Sequence, residues 1–187
     1  AMICDNENHT LSTANAANFE TLNWSTTGDG TFSNVNAVQP TYYPGVTDIE
    51  TGEVDLTMLT TAVSPCVNGV LDSKTLTIIR TVEADAGANA EICEGDTWQL
   101  DGEVLYTQNY SWSTSGDGNF NDPGLSNAVY TPGPQDIANG TVDLTLTAQP
   151  NTPCTAIAED AMQLDIQLGV IADAGQDAEI CANDAYQ

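Results

Sequence analysis

Positive charge is almost missing from this sequence: two Lys or Arg residues stand against 27 Asp and Glu among 187, a formal net charge of −25. No basic patch able to neutralise phosphates can be assembled, which excludes binding of nucleic acid or an anionic membrane surface by that route. Histidine occurs once, at His9, so imidazole catalysis and His-rich metal sites have little to build on. No apolar run approaches the roughly 20 residues of a spanning helix, so no membrane insertion is expected. A Gly-x-Ser-x-Gly elbow, an EF-hand loop and a nonapeptide calcium repeat are also missing. Only 16% of residues are charged, and the polar remainder is rich in Thr, Asn, Ser and Gln. That composition suits half-exposed strands better than helices.

What is present is a repeat. Asn23-Trp24-Ser25-Thr26-Thr27-Gly28-Asp29-Gly30-Thr31-Phe32 returns as Ser111-Trp112-Ser113-Thr114-Ser115-Gly116-Asp117-Gly118-Asn119-Phe120, with Trp24 and Trp112 88 positions apart. The motif reads as a hairpin packed on a core. One strand carries an inward Trp, Gly-Asp-Gly turns the chain through positive φ, and a second strand brings back Phe32 or Phe120. Ile3-Cys4, Ile92-Cys93 and Ile180-Cys181 mark three unit starts. The ring slot five residues beyond each Cys holds His9, Trp98 and Tyr186, so a partly packed surface ring explains the lone histidine. Three segments are expected: a first repeat over 1–81, entered partway; a second over 82–170; and a joint with the first strand of a third over 171–187. A chain that starts and stops inside repeats reads as a piece of a longer array.

Strict alternation in Val54-Asp55-Leu56-Thr57-Met58 and Val142-Asp143-Leu144-Thr145-Leu146 sets one strand face in a core and the other in water. Leu76 and Ile78, and Met162, Leu164 and Ile166, repeat that period. The fold expected is all-β, tandem immunoglobulin-like β-sandwich domains of about seven strands each. The joint Glu83-Ala84-Asp85-Ala86-Gly87-Ala88-Asn89-Ala90-Glu91, if extended, sets acids on one side and alanines on the other. It lacks the composition of a floppy linker and is expected to be short and ordered.

Five cysteines without close spacing argue against zinc. Repeat alignment instead pairs Cys4 with Cys66 and Cys93 with Cys154, leaving Cys181 for a partner further along; loops of this size gain about 4 kcal/mol each on the chain-entropy model. Such bonds imply an oxidising, extracellular compartment. Asp85 and Glu91, with Asp173, Asp177 and Glu179 in the next joint, are the best placed calcium ligands; Asp29, Asp117, Asp48 and Asp136 come next. A solvated acidic surface accounts for the same residues, and no cofactor is required. Paired carboxylates for glycoside hydrolysis are disfavoured, because the acids recur at turns in each copy while an active site needs one concave pocket. No catalytic residue is assigned.

The ordered succession Ala-Asp-Ala-Gly, Ile-Cys-Glu-Gly-Asp, Trp-Ser-Thr-Ser-Gly-Asp-Gly, Tyr-Thr-Pro-Gly, Asp-Ile-Ala-Asn-Gly-Thr-Val and Leu-Thr-Leu-Thr-Ala in the second copy resembles the immunoglobulin-like or PKD-like repeats of very large secreted surface proteins of Bacteroidota. In the first copy Asp5-Asn6-Glu7-Asn8 replaces the Glu-Gly-Asp turn. The resemblance implies a non-enzymatic structural module of adhesin stalks or surface filaments, exported by type IX secretion. Its partners would be neighbouring repeats and identical chains in a fibre. The alternative is a carbohydrate- or protein-binding module, with loops 62–72 and 149–160 gripping a glycan or surface protein.

Overall fold

The computed structural model describes residues 1–175. Cys181, Asp177, Glu179 and Tyr186 lie outside the described residues, as does the first strand of the third repeat. Seven strands and one short helix form the first repeat: β1 (Met2–Cys4), β2 (His9–Thr10), β3 (Phe19–Thr26), β4 (Thr31–Phe32), β5 (Thr41–Tyr43), α1 (Val46–Thr51), β6 (Glu53–Ala62) and β7 (Val70–Ile79). The second contains β8 (Glu83–Asp85), β9 (Ala90–Cys93), β10 (Trp98–Gln99), β11 (Glu103–Leu105), β12 (Tyr110–Thr114), β13 (Asn119–Phe120), β14 (Val129–Thr131), α2 (Pro134–Asn139), β15 (Thr141–Ala148) and β16 (Ala158–Gln167).

Each repeat is a sandwich of two sheets. In the first, the order β1-β7-β6-β3 faces β2-β5-β4; in the second, β9-β16-β15-β12 faces β10-β14-β13, with an added ribbon β8-β11. The opening strand of each unit pairs parallel with the closing one, Cys4 opposite Ile79 and Cys93 opposite Gln167. Alternation behaves as expected on β6 and β15, where Val54 and Leu56, or Val142, Leu144 and Leu146, are buried and Asp55 or Asp143 is exposed. Two separate cores result, one built from Ile3, Leu22, Trp24, Tyr42, Leu56 and Ile78, the other from Ile92, Trp112, Tyr130, Leu144, Leu164 and Ile166. No helix among the described residues is long and apolar enough to cross a membrane.

The Gly-Asp-Gly motif is not a hairpin. β3 belongs to the four-stranded sheet and β4 to the three-stranded one, so the motif is an arch that carries the chain across the sandwich, as it does between β12 and β13. Trp24 and Phe32 meet in the core with ring centroids 5.8 Å apart, and Phe32 meets Tyr42 at 4.9 Å. Two inward aromatics look the same from sequence whether they face one another along a ribbon or across two layers. Two helices that the alternating pattern does not announce, α1 and α2, each six residues long, lie between β5 and β6 and between β14 and β15. Gly52 and Gly140 end them in the left-handed region, at φ 78° and 76°.

The joint departs from one extended strand as well. The chain bends after β8, with Gly87 at φ 83°, so β8 pairs with β11 and β9 with β16. Asp160 accepts from the Ala86 N–H at 2.8 Å, and Asn89 Oδ1 accepts from Gln163 N–H at 2.9 Å. Ala84, Ala86 and Ala90 pack on the second core. The segment is therefore part of the second sandwich, and the connection proper is Arg80-Thr81-Val82.

Candidate functional site: the clasp inside each repeat and the junction between them

Gly-Asp-Gly turns out to be half of a reciprocal clasp with an aspartate 19 positions downstream. Asp136 accepts hydrogen bonds from Tyr130 Oη at 2.6 Å, Gly133 N–H at 2.9 Å, Gly118 N–H at 3.0 Å and Asp117 N–H at 3.1 Å. Asp117 returns the gesture, accepting from the N–H groups of Gln135 at 3.1 Å and Asp136 at 3.3 Å at the start of α2. The first repeat repeats the pattern: Asp48 accepts from Tyr42 Oη at 2.6 Å, Gly45 N–H at 3.0 Å, and the Asp29 and Gly30 N–H groups at 3.2 Å each. Asp29 accepts from Thr47 and Asp48 N–H. Glycine is required at Gly28 and Gly116 because any Cβ there would collide with the carboxylate of Asp48 or Asp136; neither adopts positive φ, contrary to the turn reading.

Asp48 and Asp136 are each 1% exposed, and buried carboxylates are tolerable only when fully hydrogen-bonded. Burial works against the Asp136 charge, but the bonds from Tyr130, Gly133, Asp117 and Gly118 outweigh it and hold the carboxyl below its ordinary range. Asp29, fully exposed, is lowered chiefly by the Thr47 N–H. Burial, then the adjoining carboxylate, pushes the Tyr42 and Tyr130 hydroxyls up to about 12. Surrounded by N–H and O–H donors, these carboxylates stand in the environment of an anion, and their oxygens are committed to holding an arch to a helix. The fixed spacing from Asp29 to Asp48 and from Asp117 to Asp136 was the sequence signal for it.

The expected disulfides are corrected by the structure. Cys4 bonds Cys154, with Cα atoms 5.1 Å apart, across the two repeats; Cys66 and Cys93 carry free thiols. The reason is polarity. Cys4 ends β1 beside Ile79, while Cys66 lies in the β6–β7 loop at the other end of β7, a ten-residue strand that spans roughly 30 Å. Cys93 and Cys154 are separated in the same way along β16. Alignment identifies equivalent cysteines but not the pole each occupies. Both loops reach their cysteine through a cis proline peptide, Ser64-Pro65 and Thr152-Pro153.

Around the bridge the two repeats share further contacts. Arg80, one of the two Lys or Arg side chains, donates from Nη1 to Tyr106 Oη at 2.7 Å with its guanidinium 4.7 Å from that ring's centre, and from Nε to the Ile49 carbonyl at 3.1 Å. Flanking that contact, Asn151 Nδ2 donates to the Tyr106 carbonyl within the second repeat, and Asp5 Oδ2 accepts from Thr81 N–H at 3.0 Å within the first. Val82 is 6% exposed. Asp5 stands against the two sulfurs, but a disulfide offers no thiolate, so this trio is not a metal centre.

Of the expected calcium ligands, the three that lie among the described residues, Asp85, Glu91 and Asp173, do not converge. Asp85 accepts from Gly87 N–H at 2.8 Å, Asp173 from Gly175 N–H at 2.8 Å, and Glu91 projects from β9. The bend after β8 sends Asp85 and Glu91 into different sheets. Among the described residues no three carboxylates approach closely enough to share an ion. His9 and Trp98 occupy one slot, opposite Tyr42 and Tyr130 respectively. Burial and then Lys74, whose Nζ lies 3.1 Å from Nε2, lower the His9 pKa.

No protein-family model and no curated protein matches the chain. Among solved structures it is similar to mouse cadherin-23 repeats EC22–24, at 12% identity and a TM-score of 0.51, covering 89% of this chain and 62% of that one. It is also similar to protocadherin γB7 repeats EC3–6, solved as a cis-dimer, at 10% identity and a TM-score of 0.51, covering 90% and 45%. The chain thus spans less than two thirds of either. At these identities the likeness is one of fold: tandem all-β sandwiches of the immunoglobulin and cadherin kind.

Proposed function

We propose that the chain is a non-enzymatic structural segment of a long extracellular surface protein, an adhesin stalk or filament subunit of the Bacteroidota type, whose work is reach and stiffness. The Cys4–Cys154 bridge is the observation that carries this reading, since a covalent bond from one repeat to the next limits how the pair swings about Arg80-Thr81-Val82. Arg80 on Tyr106 braces the same joint. A disulfide of this kind fits an oxidising compartment outside the cytoplasm. The clasps serve folding, not chemistry: each aspartate is saturated by its own repeat's donors. Strands β3 and β12 stand at the edges of their sheets, with the Trp24 and Trp112 N–H groups taken by the Val35 and Pro123 carbonyls, and lateral association of identical chains would use the remainder of those edges. Small-angle scattering of the oxidised protein tests the reading. An elongated two-body profile is expected; a compact globular profile would remove the stalk.

A further inference from the structure

We propose that Cys66 and Cys93 are the two unfilled halves of a repeating covalent staple, in which the cysteine ending the first strand of one repeat bonds the loop cysteine of the next. Cys93 takes a loop cysteine from a following unit of this fold, and Cys66 takes a first-strand cysteine from a preceding one. The inference rests on the array reading above and adds its covalent rule.

Three observations carry it. Topology comes first: Cys93 is to β16 what Cys4 is to β7, and Cys66 is to the β6–β7 loop what Cys154 is to the β15–β16 loop. The equivalents are bonded to one another in this same molecule. Burial is second. Cys4 and Cys154 are 4% and 6% exposed, whereas Cys66 and Cys93 are exposed. Val82, covered at the closed junction, has Val170 as its counterpart 88 positions on, and Val170 is 103% exposed with Ile171 beside it at 95%. The pole that carries Cys93 therefore presents the apolar surface that a neighbour covers at the closed joint. Third, the two thiols lie at opposite ends of the pair, so they cannot bond one another within one chain but are placed for end-to-end propagation. The sequence repeats the Ile-Cys pair at Ile180-Cys181, 88 positions after Ile92-Cys93.

Each staple forms by exchange with a donor disulfide of the thiol–disulfide oxidoreductase class. One thiolate attacks the donor to give a mixed disulfide, and the second thiolate resolves it. One S–S bond is made, and the two electrons and two protons lost by the cysteine thiols pass to the donor disulfide, which becomes two thiols.

The test has two arms, both in a glutathione redox buffer and read by Asp-N peptide mapping before and after reduction. In the first, residues 1–175 are followed in one chain by a second copy of residues 88–187, which preserves the period. Cys93 is expected to appear bonded to the new copy of Cys154, and its labelling by iodoacetamide to be lost, with Cys4–Cys154 as internal reference. In the second, the 187-residue protein is oxidised at rising concentration. Bonds between chains are expected to join Cys66 to Cys93, giving a ladder on non-reducing gels that Cys66→Ser or Cys93→Ser abolishes. A bond in the first arm assigns the partner to the same chain, and a ladder alone assigns it to a separate one. Cys93 free in both arms, indiscriminate Cys66–Cys66 and Cys93–Cys93 pairing, or an open Cys4–Cys154 would each overturn the staple. Scattering on the three-repeat chain separates this from the array reading. An elongated particle with Cys93 free sinks only the staple, and a compact particle with Cys93 bonded sinks only the stalk.

Discussion

In the second repeat β15 buries Val142, Leu144, Leu146 and Ala148 in succession, whereas the matching β6 of the first buries Val54 and Leu56 and then leaves Met58 and Thr60 half-covered. Val70 and Leu71, at the start of β7, are 67% and 62% exposed. The second repeat has the β8–β11 ribbon at its core, with Ala84 and Val104 packed there. The clasps, by contrast, agree bond for bond, Tyr42 to Asp48 and Tyr130 to Asp136 both at 2.6 Å. The difference teaches that the arch, the helix and the aspartate are what one unit needs to close its own sandwich, while full cover of the core depends on what lies alongside. A cleft of about 330 Å³ opens in the first repeat against Leu11, Trp24, Met58 and Lys74.

The sharpest way to break this comparison is to remove one clasp. Asp136→Ala takes away four hydrogen bonds to a buried carboxylate, leaving Gly133, Gly118 and Asp117 N–H groups without that acceptor and the Tyr130 hydroxyl with Thr114 alone, which costs about 4 kcal/mol. Calorimetry should then show the second repeat melting at least about 15 °C lower while the first keeps its transition; a joint fall of both would show that the repeats do not fold separately. Next in size, Leu146→Ala should cost about 3 kcal/mol and its counterpart Met58→Ala about 1, because the first side chain is fully buried and the second half-exposed. Equal losses in urea titrations would deny the asymmetry.

Acid should act on both repeats through the clasps. Asp136 and Asp29 have folded pKa values below those of the unfolded chain, so their stabilisation is whole above about pH 4, the unfolded value, and disappears as pH falls through the folded ones. At the other extreme, Tyr42 and Tyr130 are raised to about 12, so their contribution is whole below about pH 10 and lost between there and 12. Unfolding midpoints followed from pH 2 to 12 check both signs, and a plateau across pH 4 to 2 would contradict the first. Arg80→Ala should lower stability by about 1 kcal/mol or less, because the contact is exposed, and should widen the interdomain distance distribution once the disulfide is reduced. The smallest effect is reserved for calcium. Millimolar Ca²⁺ should move the melting temperature by no more than about 1 °C, since Asp85, Glu91 and Asp173 do not converge; a larger rise would revive the joints as ion sites.

Much of the fold was legible before the structure. Alternation on β6 and β15 marked their buried faces, because a strand's side chains point to opposite sides with period two. Trp24 and Phe32 were recognised as core residues, but their strands were assigned to one ribbon, since inwardness says nothing about which sheet supplies it. Composition marks Asp48 and Asp136 only as acids at turns, open to solvent or to an ion; their partners in the structure are backbone N–H groups and a tyrosine hydroxyl, and no residue identity announces the N–H groups. Asp85 and Glu91 were placed on one face by counting, and a single bend after β8 undid the count.

From sequence alone came the 88-residue repeat, the all-β sandwich class, the inward faces and the absence of any basic surface, all consequences of local period and composition that need no knowledge of distant contacts. Which sulfurs meet was decided only in three dimensions. Stacking the sandwiches end to end brings the last pole of one repeat against the first pole of the next. Cys4 thereby comes within bonding distance of Cys154, while Cys66 is left a full strand's length away.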